Sequence, residues 1–175
     1  SLGEAHTTVK RHLDVLTGAL VVRQLTPWFV NVSKRQIKSP KIYVRDSGLL
    51  HHLLGIKSFV ELQGHPKLGA SWEGFVVEEA ARIVGSRNMY FWGSQSGAEL
   101  DIFLPRASGN IGIEVKYADA PGVTKSMRIA MQDLGLKRLL VVYPGDEPYD
   151  LDTNIRVIPV QSLREELSGK RSRRS

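Results

Sequence analysis

An α/β fold ordered helix, three strands, helix, strand is predicted by two observations. From about residue 67 the apolar spacing switches between helical and strand periods in that order. It is helical over 67–84, strand-like over 88–93, 98–104 and 111–117, helical over 122–134, and strand-like over 138–143. The second observation is a set of charges lying inside two of those strands rather than in the turns between them: Asp101 in the first, Glu114 and Lys116 in the second. Element order and charge position agree, which is stronger evidence than either alone.

The elements before this core follow in chain order. Residues 7–17 read as a helix with Thr7 or Thr8 as N-cap, Val9, Leu13 and Leu16 as the buried stripe, and Gly18 as the stop. Two strand-like runs follow, 19–25 and 28–32, split by Thr26-Pro27. A helix followed by a hairpin is the closing half of a winged helix-turn-helix, with the helix in the recognition position. The preceding helices are missing, so a partial winged-helix segment is expected and the chain is expected to begin inside a longer protein. Ile42 to Val44 read as a short strand, and the helix after it is capped by Asp46 or Ser47 and stopped by Gly55. His51 and His52 are adjacent, point to different sides of that helix and lack metal-pair spacing. After the core, Arg156 to Ile158 read as a strand and 160–167 as a final helix. The expected division is a winged-helix-like segment and connector over 1–60, a main domain over 61–168, and a basic tail over 169–175.

Charged residues inside strands need a reason, because an unpaired buried charge costs several kcal/mol. In Glu114-Val115-Lys116 the period of two puts Glu114 and Lys116 on one face and Val115 on the other. If the two strands pair as a hairpin, Asp101 lies beside Glu114. Two carboxylates and an ammonium then converge in a way that suits a hard divalent cation and a phosphate. The plainer alternative is a cross-sheet ion pair on a solvated face, with Asp101 ending a strand. Upstream, Gly69, Trp72, Glu73, Val76 and Val77 sit at helical spacing, so Glu73 is carried on the helix before the hairpin, with Glu78 as the fallback.

An acidic residue, a hairpin and then Glu-x-Lys resembles the PD-(D/E)XK nuclease superfamily, whose core is αβββαβ with a mixed sheet. Leu100 stands where the usual proline would be. The helix Gly69-x-x-x-Glu73-x-x-Val76 also resembles the context of the glutamate that such enzymes often carry before the hairpin. Over about residues 20–120 the chain further resembles a C-terminal domain of unknown function attached to bacterial and archaeal AAA-type ATPases. The segments that carry this are Leu25-Thr-Pro-Trp28 with Asn31 and Lys34-Arg35, Lys38-Ser-Pro-Lys-Ile-Tyr43, Asp46-Ser-Gly-Leu-Leu50, Gly69-x-x-Trp-Glu-x-Phe-Val76, Phe91-Trp92 with Gly97-Ala-Glu-Leu-Asp101, and Ile113-Glu-Val-Lys116. The resemblance implies a nuclease-like domain whose ATPase module stands N-terminal to it. It implies Mg²⁺ (or Mn²⁺) held by Asp101, Glu114 and the Val115 carbonyl, Lys116 orienting water and stabilising charge, Glu73 as a further ligand, and DNA phosphodiester hydrolysis as the reaction. Its rivals are a non-catalytic module that binds DNA or regulates the ATPase, and a protein-interaction domain with a vestigial site.

Composition narrows the remaining classes. With no cysteine among 175 residues, disulfides and thiolate zinc sites are excluded. No apolar run approaches the roughly 18 residues of a membrane span, and the first residues lack a signal-peptide pattern, so a cytoplasmic protein is expected. A net charge of +6 favours an anionic partner, nucleic acid first. The candidate phosphate contacts are Lys34, Arg35, Lys38 and Lys41, with Lys10 and Arg11 on the first helix; a solvated basic rim explains the same residues. Gly93-Ser-Gln-Ser-Gly97 has glutamine where a nucleophile elbow needs serine and reads as a hairpin turn. Gly-x-x-x-x-Gly-Lys-Ser/Thr and His-Glu-x-x-His are both missing, so the chain is not itself a P-loop ATPase or a zincin.

Overall fold

The computed structural model describes residues 2–29, 39–94 and 97–168, with side chains from Thr7 onward. Helix α1 (Leu2–Gly18) leads into strand β1 (Val22–Leu25), which pairs antiparallel with β2 (Lys41–Val44) in a two-stranded ribbon. Two short helices follow, α2 (Ser47–Leu53) and α3 (Phe59–Gln63), and then the long α4 (Leu68–Val84). Three antiparallel strands come next, β3 (Tyr90–Gly93), β4 (Glu99–Leu104) and β5 (Asn110–Val115). Helix α5 (Lys125–Asp133) crosses over to β6 (Leu136–Tyr143), which runs parallel to β5. The chain ends with β7 (Tyr149–Asp152), β8 (Ile155–Pro159) and α6 (Leu163–Ser168). The result is a mixed six-stranded sheet in the order β3-β4-β5-β6-β8-β7.

Apolar residues alternate along the strands and fill a core on each side of the sheet. Ile111, Ile113, Val115, Leu140 and Val142 pack with Val76, Val77 and Ala80 of α4 and with Leu163 and Leu167 of α6. Leu139, Val141, Phe103 and Trp92 pack with Met127 and Ala130 of α5. Helix α5 is fixed at its start by the Thr124 hydroxyl, which accepts from the Met127 N–H. Gly112 lies at the centre of β5 because a Cβ there would sit 2.6 Å from a Leu136 methyl and 2.8 Å from a Leu139 methyl.

Strand β4 carries a bulge. Tyr90 pairs with Phe103 and Trp92 with Leu100, so β3 advances two residues while β4 advances three. The extra residue changes the alternation. Leu100 joins the core under α5, whereas Ile102 and Leu104 join the core under α4, although simple i, i+2 spacing would put all three together.

Three N-terminal expectations need correction. The partner of β1 is β2, not the 28–32 run. Pro27 has no N–H to give a ribbon, and the segment turns to the large sheet instead: Trp28 N–H donates to Phe91 O at 2.7 Å and Phe91 N–H to Thr26 O at 3.1 Å. The Trp28 ring settles against Tyr90 and Phe103, with centroids 5.0 and 4.9 Å away. Residues 30–38 lie outside the described residues. Secondly, the α1 stripe is not buried, with Val9 66% and Leu16 42% exposed, because among the described residues α1 packs mainly on the narrow ribbon. Thirdly, the helix Phe59–Gln63 forms where none was expected, capped by the Ser58 hydroxyl on the Glu61 N–H.

Candidate active site

Helix α4, the β4–β5 hairpin and the β1–β2 ribbon meet at the C-terminal end of β5. Register pairs Ile102 with Ile113, and beyond this pair the hairpin strands part. The Asp101 carboxylate fills the opening: its Oδ2 accepts the Val115 N–H at 3.0 Å, in place of a ladder carbonyl. The bulge re-aims Asp101 in this way, a common use of bulges beside functional sites. Its other oxygen, Oδ1, accepts from Lys41 Nζ at 3.1 Å.

Lys41 reaches the site from the ribbon. Its ammonium lies 3.0 Å from Glu73 Oε1 and so bridges Glu73 and Asp101. Tyr43, two residues on along the same face, donates its hydroxyl to the same Glu73 oxygen at 2.5 Å. Arg45, two further, joins Arg23 in holding Glu78, the Arg45 Nε lying 3.1 Å from Glu78 Oε2. One face of the ribbon thus reads Lys41, Tyr43, Arg45, and each grips a carboxylate of α4. Glu78, the fallback site residue, is therefore an anchor for the ribbon. Burial works to raise its pKa, but the two guanidinium groups win and hold it below the usual carboxylate value.

Glu114 and Lys116 form an adjoining pair, Nζ to Oε1 at 2.7 Å. Glu114 is only 6% exposed, and its second oxygen, Oε2, is buried without a hydrogen-bond partner among the described residues. Alternation sets Ile113 and Val115 under α4 and turns Gly112 and Glu114 toward the α5 side. Asp101 and Glu114 therefore approach across the parted strand ends rather than side by side on one flat face. They are close enough to feel each other's charge. Burial first, then the Asp101 charge, push the Glu114 carboxyl up to about 7, against the pull of Lys116 and Lys41. Burial alone would lower Lys41, but Asp101 and Glu73 outweigh it and raise the ammonium to about 12. Lys116 is likewise lowered by burial and raised further by Glu114. Burial and the Glu73 charge together raise the Tyr43 phenol, so it stays a donor.

Among the described residues, no three His, Asp or Glu side chains form a group set to hold a metal ion. The residues present nevertheless fit a magnesium-type site. Such ions are held by one or two carboxylates, with waters and substrate phosphates completing the shell, and the orphaned Glu114 Oε2 is a buried acceptor still lacking a partner. Asp101 and Glu114 would hold the ion. Glu73 does not join them while Lys41 lies between it and Asp101.

The other sequence candidates fall elsewhere. Val115 contributes its N–H to Asp101 and its side chain to the core. Lys10 and Arg11 are exposed on α1. Lys34, Arg35, Lys38 and the 169–175 tail lie outside the described residues. Lys41, grouped with the basic cluster from sequence, is instead drawn in against the carboxylates. Sequence reasoning also missed Tyr43 and the aromatic edge beside the site, where Trp72 stacks on Phe75 at 5.7 Å and meets Tyr117 at 6.1 Å. The alternating Lys-Ile-Tyr-Val-Arg of 41–45 was the available signal, since it gives one polar face to a short strand.

A family model for a domain of unknown function, DUF4143, matches residues 68–163, more than half of the chain and the whole of the hairpin described above. The chain belongs to the DUF4143 family. A second domain-of-unknown-function model, DUF8612, matches residues 1–59, which include α1 and the ribbon. Two similar proteins, uncharacterised in Mycobacterium bovis and in Mycobacterium tuberculosis, are each 49% identical over 163 residues, covering 93% of this chain. The match covers 37% of each relative, so the chain spans little more than a third of their length. No solved structure matches the chain. Among the described residues, no helix is long and apolar enough to cross a membrane.

Proposed function

We propose that this DUF4143 domain is a PD-(D/E)XK-type nuclease module that hydrolyses DNA phosphodiester bonds with Mg²⁺ or Mn²⁺, as the C-terminal part of an AAA-type ATPase. The observation that carries the reading is the junction of Asp101, Glu114 and Lys116 at the parted end of the β4–β5 hairpin, with Glu73 reaching the same junction from α4. The element order α4, β3, β4, β5, α5, β6 supports it, since helix, three strands, helix, strand is the order of that superfamily's core. A partial winged-helix segment formed by α1 and the ribbon, and a cytoplasmic location, belong to the same proposal.

A divalent ion held by Asp101 and Glu114 would polarise the scissile phosphate and acidify a bound water. The chain's own groups do the rest. Asp101 is held in place by the Val115 N–H, so its geometry does not depend on a substrate. Lys116 is 38% exposed at its side chain, with its ammonium paired to Glu114, and so is open to an incoming phosphate. There it stabilises the charge that grows on the phosphoryl oxygens. Lys10 and Arg11, exposed on α1, are the further candidates for phosphate contact.

A specific observation favours the non-catalytic alternative, a DNA-binding or protein-interaction module that regulates the ATPase. Lys41 already bridges Glu73 and Asp101, as a cation would in a vestigial site. Cleavage of single-stranded, duplex and branched DNA with Mg²⁺ or Mn²⁺ separates the two readings. Asp101→Ala and Glu114→Ala are expected to abolish cleavage, and Lys116→Ala to lower it by about 100-fold or more while sparing metal binding. Glu73→Ala is expected to have the smallest effect. Equal activity in wild type and the Lys116 variant would refute this assignment of the site. A lack of activity in the wild type, full-length protein included, would leave the binding-module reading.

A further inference from the structure

We propose that Lys41 is a tethered occupant of the cation site, so that a divalent ion enters by displacing the Lys41 ammonium from between Glu73 and Asp101. The inference rests on the carboxylate site described above and adds to it a residue from outside the hairpin and outside the segment matched by the DUF4143 model.

Three features support it. The first is position. Lys41 Nζ touches one oxygen of each of two carboxylates, at 3.0 and 3.1 Å, and lies 5.6 Å from the centroid of the buried Phe91 ring. An ammonium so placed fills the gap that keeps Glu73 apart from the other two acids. Nor is it a loose surface side chain: Leu25 pairs with Lys41 in the ribbon register, and the ribbon is clamped to α4 by Arg23 and Arg45 on Glu78.

The second feature is charge. With Glu114 ionised, Glu73, Asp101 and Glu114 carry three negative charges, and Lys41 and Lys116 return two. Exchanging Lys41 for a divalent ion leaves the cluster neutral, whereas adding the ion with Lys41 still seated leaves it positive. Like charges this close in a half-buried setting repel by more than a surface pair would. Exchange is therefore favoured over co-occupancy. The third feature is reach. The Lys41 side chain is 25% exposed and has four flexible methylenes, so its head can swing to water while the ribbon stays anchored. Once released, the ammonium stands at the rim of the site, where an incoming phosphate meets it.

Mn²⁺ titration of the metal-free chain by calorimetry tests the exchange directly, with wild type beside Lys41→Met and Lys41→Arg. If Lys41 is seated in at least nine molecules of ten, its removal exposes the full intrinsic affinity, and Lys41→Met binds Mn²⁺ about tenfold tighter or more. Lys41→Arg, with a fork that suits two carboxylates, binds more weakly than wild type. An affinity in Lys41→Met equal to or below wild type overturns the exchange while leaving the cation site itself standing, since both proteins still bind. Absence of Mn²⁺ binding in wild type and Lys41→Met alike overturns the site and the exchange together. A second measurement needs no variant and no folding control. Acetylation of Lys41 in wild type, followed by mass spectrometry, is expected to speed up several-fold at saturating Mg²⁺. An unchanged rate at Lys41, with the exposed Lys10 as reference, overturns displacement.

Discussion

Replacing Glu114 by glutamine should remove a pH dependence from the protein's stability. Burial and the neighbouring Asp101 charge raise the Glu114 carboxyl from 4.5 to about 7. A raised carboxyl binds its proton more tightly in the folded chain than in the unfolded one. Its contribution is therefore complete below the unfolded value of 4.5 and is lost as pH rises through the folded value near 7. At about 1.4 kcal/mol per unit, the wild type gives up about 3 kcal/mol across this window. For a chain of this size that corresponds to about 10 °C in Tm. Glutamine has nearly the same shape and stays neutral, so Glu114→Gln should lack this loss. The variant also lacks the ion pair to Lys116, but that pair forms only as Glu114 ionises and is already contained in the folded value near 7. Thermal unfolding followed by circular dichroism in EDTA, at intervals from pH 4.5 to 8, gives both curves. All other titrating groups are common to the two proteins, so the difference curve reports residue 114 together with its coupling to Asp101. Parallel curves would refute the reasoning, because they would mean that Glu114 ionises in the folded protein as easily as in water.

Two further substitutions probe the frame around the site. Glu78→Gln should destabilise the fold by about 3 kcal/mol, because it strips the buried counter-charge from both Arg23 and Arg45; denaturant unfolding measures it, and a loss under about 0.5 kcal/mol would show that the ribbon is held by other contacts. Gly112→Ala should cost about 1–3 kcal/mol, because the new methyl meets Leu136, Leu139 and Leu100 at 2.6, 2.8 and 3.1 Å; an unchanged unfolding midpoint would mean that the leucines move aside freely.

The legible and the hidden parts of this protein divide along a physical line. Helix α4, the hairpin strands and α5 were readable because each buries an apolar stripe of one clear period, so local pattern and final environment agree. The acidic hairpin residues were readable for the opposite reason, as charges interrupting a buried pattern. The ribbon was not readable in this way. Its two strands are four residues each and are separated by sixteen positions, from Leu25 to Lys41, so no turn signature sets their register. What sets it is tertiary: Glu73 and Glu78 on α4 select the Lys41, Tyr43, Arg45 face through charge. The bulge in β4 is equally silent in sequence, because its cause is the three-dimensional fit of Trp92 and Ile102 into different cores. Both hidden features act on Asp101. The bulge turns its carboxylate into the strand opening, and the ribbon delivers the ammonium that meets it there. A helix glutamate, a bulged aspartate and a strand glutamate would repel one another if left alone in a half-buried cleft, and Lys116 alone offsets only one of the three. Lys41 offsets a second. Its ammonium lies between Glu73 and Asp101, the position that a divalent ion would take under the exchange proposed above.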